Sequence, residues 1–139
     1  IINIISYNQN TFSLHIKLSL MLSFYYLNNC STCKRIIKEL GLIKSSGLID
    51  IKKHPITKNK LEFLFSLSGS YESLFSKRSL LYKKRDLKDI NLSEKGFKDL
   101  ILEHYTFLKR PILVVDEKIF IGNSSKVIEQ AKKILNGKI

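Results

Sequence analysis

Leu22-Ser23-Phe24-Tyr25-Tyr26-Leu27-Asn28-Asn29-Cys30-Ser31-Thr32-Cys33-Lys34-Arg35-Ile36-Ile37-Lys38-Glu39-Leu40-Gly41 is the stretch that decides the fold. Its first six residues are apolar and rich in aromatic rings, the composition of a short buried strand. Asn28-Asn29 ends it. From Ser31 the period changes: Ile36, Ile37 and Leu40 fall at helical spacing, while Lys34, Arg35, Lys38 and Glu39 lie on the other faces. Gly41 supplies a stop signal. Strand, tight turn and helix follow one another, with two cysteines at the junction.

These are the only two cysteines in the chain. Structural disulfide frameworks use more cysteines, spread along the sequence. A close pair in a cytoplasmic protein, the expected location, reads as redox or metal chemistry. A thiol reacts as thiolate. Just ahead of the helix, the free N–H groups and the positive end of the helix dipole stabilise an anion at Cys30, and Lys34 and Arg35 add positive charge nearby. Cys33 follows one turn later on the same face, within reach for a disulfide. The more exposed Cys30 attacks an oxidised substrate, and the more buried Cys33 resolves the mixed intermediate. Zinc needs two further ligands, and His15, His54 and His104 are not spaced like a finger, so no metal is expected. His104 reads as a core or boundary residue on an apolar helix face, and His54 as a surface turn residue. Two incidental core cysteines are the bland alternative; the strand–motif–helix setting favours the redox reading.

Outward from this unit, Gly47 introduces a second strand, Leu48 to Ile51. If it pairs parallel to the first, the crossover is right-handed. His54-Pro55 closes it. Thr57 can cap a helix carrying Leu61, Leu64 and Phe65, ended by Gly69. Ser70 to Arg85 reads as short helices with Leu74, Phe75, Leu80 and Leu81 as buried points. Ser93 caps another helix, with Phe97, Leu100, Ile101 and His104 on one face. Ile112 to Val115 is a β-branched strand, Asp116-Glu117 a turn, and Lys118 to Ile121 the return strand of a hairpin. Gly122-Asn123-Ser124 is a turn and cap, and Val127, Ile128, Ala131, Ile134 and Leu135 follow at helical spacing. The order β-α-β, helical insertion over about 55–107, β-β-α is that of an α/β, thioredoxin-like fold with a mixed sheet. In this fold a cis proline before the third strand faces the cysteines, which makes Pro111 a structural candidate at the site.

The length of 139 residues fits one domain with a normal core, and 44% hydrophobic residues make it globular. The net charge of +12, from 24 Lys+Arg against 12 Asp+Glu, suits anionic partners: an acidic protein surface, nucleic acid or a small oxyanion. The basic residues are scattered and mostly Lys, as on any lysine-rich surface; only Lys77-Arg78 to Lys83-Lys84-Arg85 is dense. There is no DNA-reading motif. The only methionine is Met21, and residues 1–20 show no clear period. The expectation is a domain over 21–139 after a poorly ordered extension over 1–20, not native in the way that translated upstream sequence is not. No membrane anchor is expected over Phe12 to Leu27, because His15 and Lys17 interrupt a run too short to span and no small-residue cleavage site follows.

From Met21 to the end the chain resembles the arsenate reductase/Spx family of thioredoxin-fold proteins, the ArsC-like proteins. The resemblance lies in Cys30-Ser31-Thr32-Cys33-Lys34-Arg35 after the first strand, the insert from Gly69 to Arg85, Leu108-Lys109-Arg110-Pro111-Ile112 before the third strand, and Val115-Asp116-Glu117-Lys118 with Ile121-Gly122 in the hairpin. It implies that Cys30 is the nucleophile that meets an oxyanion and that Arg110, just before the proline, binds or positions the substrate. A guanidinium beside a reactive thiol suits a tetrahedral oxyanion. A second basic position in the insert falls to Lys77 or Arg78, with Arg78 taken for the site. The arsenate reductases carry a further arginine after the hairpin; here that place is Gly122-Asn123-Ser124. Asn28-Asn29 also precedes Cys30 without the proline often found there. The CxxC leans toward members with a resolving cysteine inside the motif, as in the Spx regulators, which bind RNA polymerase and use the pair as a disulfide switch. The resemblance thus implies a thiol-dependent oxidoreductase with no bound cofactor, recycled by glutathione, glutaredoxin or thioredoxin and acting on a small oxyanion or an oxidised thiol. The alternative it implies is an Spx-like, redox-sensing regulator that binds RNA polymerase.

Overall fold

The computed structural model describes residues 20–138, so the extension expected over 1–20 falls outside them except for Leu20, which packs against the core. Strand β1 (Leu22–Tyr26) leads into helix α1 (Ser31–Glu39) and returns as β2 (Leu48–Asp50). The insert follows as α2 (Lys58–Ser68), α3 (Tyr71–Leu74), α4 (Leu80–Lys84) and α5 (Glu94–Glu103), with single 3-10 turns at Leu87–Asp89 and Tyr105–Phe107. The hairpin β3 (Ile112–Val115) and β4 (Lys118–Ile121) and the helix α6 (Ser125–Lys138) complete the described chain. Leu27 and Ile51, read as strand ends, lie one residue beyond their strands and are buried.

The sheet order is β2-β1-β3-β4. β1 runs parallel to β2, with Phe24 opposite Leu48, and antiparallel to β3, with Tyr25 opposite Ile112. The sheet is therefore mixed, as the element order implies. Gly47 is required where β2 enters: a Cβ there would meet the Leu22 carbonyl, and the Gly47 carbonyl accepts from the Phe24 N–H at 2.8 Å.

Alternation along the strands divides the interior into two cores. Phe24, Leu113 and Val115 point to the face covered by α1 and α6, where Ile36, Ile37, Leu40, Ile128, Ala131 and Leu135 are buried. Tyr25, Ile112 and Val114 point to the other face, covered by the insert. There Phe75 sits at the centre, stacked on Phe107 at 5.3 Å and tilted against Phe97 at 5.0 Å.

Local caps hold the insert. Thr57 Oγ1 accepts from the Lys60 N–H at 3.3 Å, and α2 ends in Gly69 at φ 75°. Ser93 Oγ accepts from the Gly96 N–H at 3.1 Å. Two expectations fail here. Leu80 is not a buried point but 81% exposed, because Leu81, one residue on and about 100° round the helix, takes the inward position. His104 is not on the face of α5; the helix stops at Glu103, and His104 Nδ1 instead meets Thr106 Oγ1 at 2.8 Å and accepts from the Thr106 N–H at 3.2 Å.

Candidate functional site

Because β1 and β3 are antiparallel, the end of β1 and the start of β3 lie at the same end of the sheet. Cys30 follows the first and Arg110-Pro111 precedes the second, so topology alone brings them together. The Arg110-Pro111 peptide is cis, and Pro111 is buried. Its carbonyl accepts from the Gly122 N–H at 2.9 Å, which ties the start of β3 to the end of β4.

The insert reaches the same place through backbone pairing. Phe75 and Leu108 form an isolated antiparallel bridge. The Ser76 N–H donates to the Phe107 carbonyl, and the Lys109 N–H to the Leu74 carbonyl, each at 2.8 Å. Lys77 and Arg78 are thereby carried beside Lys109 and Arg110. Between them and α1 opens a cavity of about 690 Å³, lined by Cys30, Thr32, Glu72, Lys77, Arg78, Lys109, Arg110 and the turn Gly122-Asn123-Ser124.

Cys30 is half-buried and is the N-cap of α1. Its Sγ accepts from the Cys33 N–H at 3.4 Å, which satisfies one of the donors that a helix start leaves open. Cys33 is fully buried, and both thiols are free. Burial pushes the Cys33 thiol up to about 12; the neighbouring Cys30 sulfur pushes the same way, while a backbone hydrogen bond with Leu27 and the charge of Arg110 act against it.

Four cationic side chains line the cavity against one carboxylate. Lys77 is paired to that carboxylate, its Nζ 2.6 Å from Glu72 Oε1. Arg78, Lys109 and Arg110 have no carboxylate partner among the described residues, so Arg78, rather than Lys77, brings uncompensated charge from the insert. Arg110 is held from behind: one of its guanidinium nitrogens donates to the carbonyls of Thr106 and Leu108, each at 3.2 Å.

Arg35 does not add charge at Cys30 as expected. It pairs with Glu39 one turn along α1 at 3.0 Å, and Glu39 also takes Lys132 of α6 at 2.9 Å. The sequence reading missed Lys109 and Thr32 as lining residues; nothing in the spacing separates Lys109 from the other scattered lysines, and the approach to β3, held to the insert by the bridge at Leu108, brings it to the cavity.

The model of the ArsC family matches residues 25–131. The chain belongs to the ArsC family. The matched span contains both cysteines, the insert and Arg110-Pro111. Among relatives of this ArsC-family chain, the global transcriptional regulator Spx of Streptococcus pyogenes is 26% identical over 108 residues, covering 73% of this chain and 78% of the regulator. The structure described as a possible arsenate reductase from Streptococcus mutans is 32% identical, with a TM-score of 0.59 over 73% of this chain and 88% of that one. An arsenate reductase from Vibrio cholerae shares the fold at 21% identity, with a TM-score of 0.65 over 81% of this chain and 96% of its own. The α/β, thioredoxin-like architecture expected from the element order is thus that of the family. No helix among the described residues is long and apolar enough to cross a membrane.

Proposed function

We propose that this ArsC-family protein is a thiol-dependent oxidoreductase acting on an anionic substrate, either a small oxyanion or an oxidised thiol. The observation that supports it best is the position of Cys30 Sγ. It caps α1 at the wall of a cavity in which Arg78, Lys109 and Arg110 have no carboxylate partner. Unneutralised cations beside a nucleophile hold an anion where the sulfur can reach it.

In this reading Cys30 is the catalytic nucleophile. Its thiolate bonds to the oxidised centre of the substrate and displaces a leaving group, which takes up a proton. Arg110, pinned to two carbonyls, orients the anion, and Arg78 meets it from the insert. Cys33 then attacks the Cys30 sulfur. A Cys30–Cys33 disulfide forms, the bond to the substrate breaks, and the substrate leaves reduced by two electrons. Glutathione, glutaredoxin or thioredoxin returns the disulfide to the dithiol, with no bound cofactor. Purified protein mixed with arsenate or a disulfide should oxidise a coupled thiol system. No turnover with any oxidised substrate across the three donors would sink the reading.

The likeness to Spx favours one second reading, a redox-sensing regulator that binds RNA polymerase. It predicts co-purification with the polymerase, altered by Cys30→Ala. Failure to capture polymerase in either redox state removes it.

A further inference from the structure

Lys77 to Arg85 holds five cationic residues in nine and no carboxylate. The fold sorts them. Lys77 is paired to Glu72 at 2.6 Å, and Arg85 to Glu103 at 2.7 Å. Arg78, Lys83 and Lys84 have no carboxylate partner among the described residues. Ser79, itself buried, caps α4 by accepting from the Tyr82 N–H at 3.2 Å. That sets the rotation of the helix. Leu81 and Tyr82 pack against the core, and Leu80 stands out as the most exposed large apolar side chain among the described residues.

Lys83 and Lys84 are three and four residues on from Leu80, so an aliphatic side chain and two ammonium groups share one outer face. A single exposed leucine is ordinary. This one is flanked by uncompensated cations, and the two residues before its cap, Lys77 and Arg78, are already cavity wall. Arg78, two residues before Leu80, links α4 to the wall of the Cys30 cavity.

We propose that the outer face of α4, Leu80 with Lys83 and Lys84, continued by Arg78 into the cavity, docks an acidic protein segment that carries the disulfide Cys30 exchanges with. The proposal rests on the thiol–disulfide reading above. Charge complementarity selects an acidic partner, and Leu80 selects a segment with an aliphatic residue among its carboxylates. A nucleic acid fits less well. The nearest ring, Tyr82, is partly buried and lies edge-on to Phe75 at 5.9 Å, so the face offers no open platform for a base. In the exchange, the Cys30 thiolate attacks one sulfur of the partner disulfide and the other leaves as thiolate. Cys33 then attacks the Cys30 sulfur and releases the second partner thiolate. The protein supplies both electrons and becomes the Cys30–Cys33 disulfide.

The test uses the reduced full chain in single turnover. Its probes are dithiodipyridine and two peptides whose single cysteine carries a pyridyl disulfide, one built of Asp, Glu and Leu, the other with Asn and Gln in place of the acids. The acidic peptide should react about tenfold faster than the amide peptide at low salt, and the advantage should shrink as salt rises. Leu80→Ser with Lys83→Glu and Lys84→Glu should abolish the advantage, with the dithiodipyridine rate serving as the fold control. Equal rates for the two peptides, or an advantage that survives the substitutions, overturns the docking face. Fluorescence anisotropy of a cysteine-free acidic peptide separates docking from chemistry. Binding that the substitutions abolish supports the face even where dithiodipyridine does not react, and in that case it is the thiol–disulfide reading that fails. Tighter binding of a single-stranded oligonucleotide than of the acidic peptide, lost with the same substitutions, overturns the proposed partner.

Discussion

The backbone N–H of Cys33 donates to Cys30 Sγ across 3.4 Å, so the first cysteine caps the helix that carries the second. The two thiols it links lie in unlike surroundings. Cys30 faces a cationic cavity, and Cys33 has its back to the core.

That asymmetry predicts selective alkylation. With the Cys33 thiol pushed up to about 12 by burial, its thiolate is scarce at pH 8. Iodoacetamide should label Cys30 alone in the native protein, and both cysteines in denaturant, as read by peptide mass mapping. Comparable native labelling of Cys33 would contradict its placement.

The same shift has a consequence for alkaline stability. The unfolded chain loses the Cys33 proton near the ordinary 9.0, while the folded chain keeps it to about 12. The folded state therefore binds more protons in that window, and stability present below pH 9 is lost as pH rises through it. Tyr25, also raised by burial, adds to the slope. Thermal melts of Cys33→Ala should fall less steeply with pH above 9 than those of the wild type. Parallel slopes would refute the assignment.

Arg110 tests the proposed anion site. Arg110→Ala should lower kcat/KM for an anionic disulfide by about 10- to 100-fold, the range of a charge-assisted hydrogen bond. Arg110→Lys keeps the charge but has no planar fork to hold two carbonyls and an anion at once, so it should recover only part. Wild-type kinetics in the alanine variant would remove Arg110 from the site.

Glu94 of α5 holds the cavity wall from outside. Its carboxylate accepts from the Tyr71 N–H at 2.6 Å, the Glu72 N–H at 3.4 Å and the Ser70 hydroxyl at 3.2 Å. Glu94→Ala should cost about 1–2 kcal/mol in urea unfolding, as loss of a helix cap does. A change within a few tenths of a kcal/mol would show that water replaces it freely.

Gly47→Ala sets a Cβ against the Leu22 carbonyl at the seam of β1 and β2. Backbone cannot yield as a flexible side chain does, so the cost should be about 1–3 kcal/mol, with an unchanged m-value. A stable alanine variant would mean that the strand entry is looser than described.

Much of the molecule was legible because its signals are local. A strand ending at Asn28-Asn29, a cysteine at a helix start and caps at Thr57, Ser93 and Ser124 each act within a few residues of themselves. The β-branched run Ile112 to Val115 was enough to place a buried strand, though not the two cores that it divides. Other features were not settled by residue type alone. Leu80 and Leu81 are equal in composition, and only the rotation set by Ser79 makes one solvent-facing and the other core. Lys77 and Arg78 are equal in charge until Glu72 neutralises the first. Arg35 sits beside the motif in sequence, yet Glu39 takes its charge. The meeting of Arg78 and Lys109 at Cys30 depends on the bridge between Phe75 and Leu108, a contact across more than thirty residues that the closure of the whole insert creates. By itself the sequence determined the CxxC at the head of α1, because a cap and a helical period are short-range physics. Only the tertiary structure decided which cations face it, because Arg78 and Lys109 reach the cavity through backbone pairing between segments more than thirty residues apart.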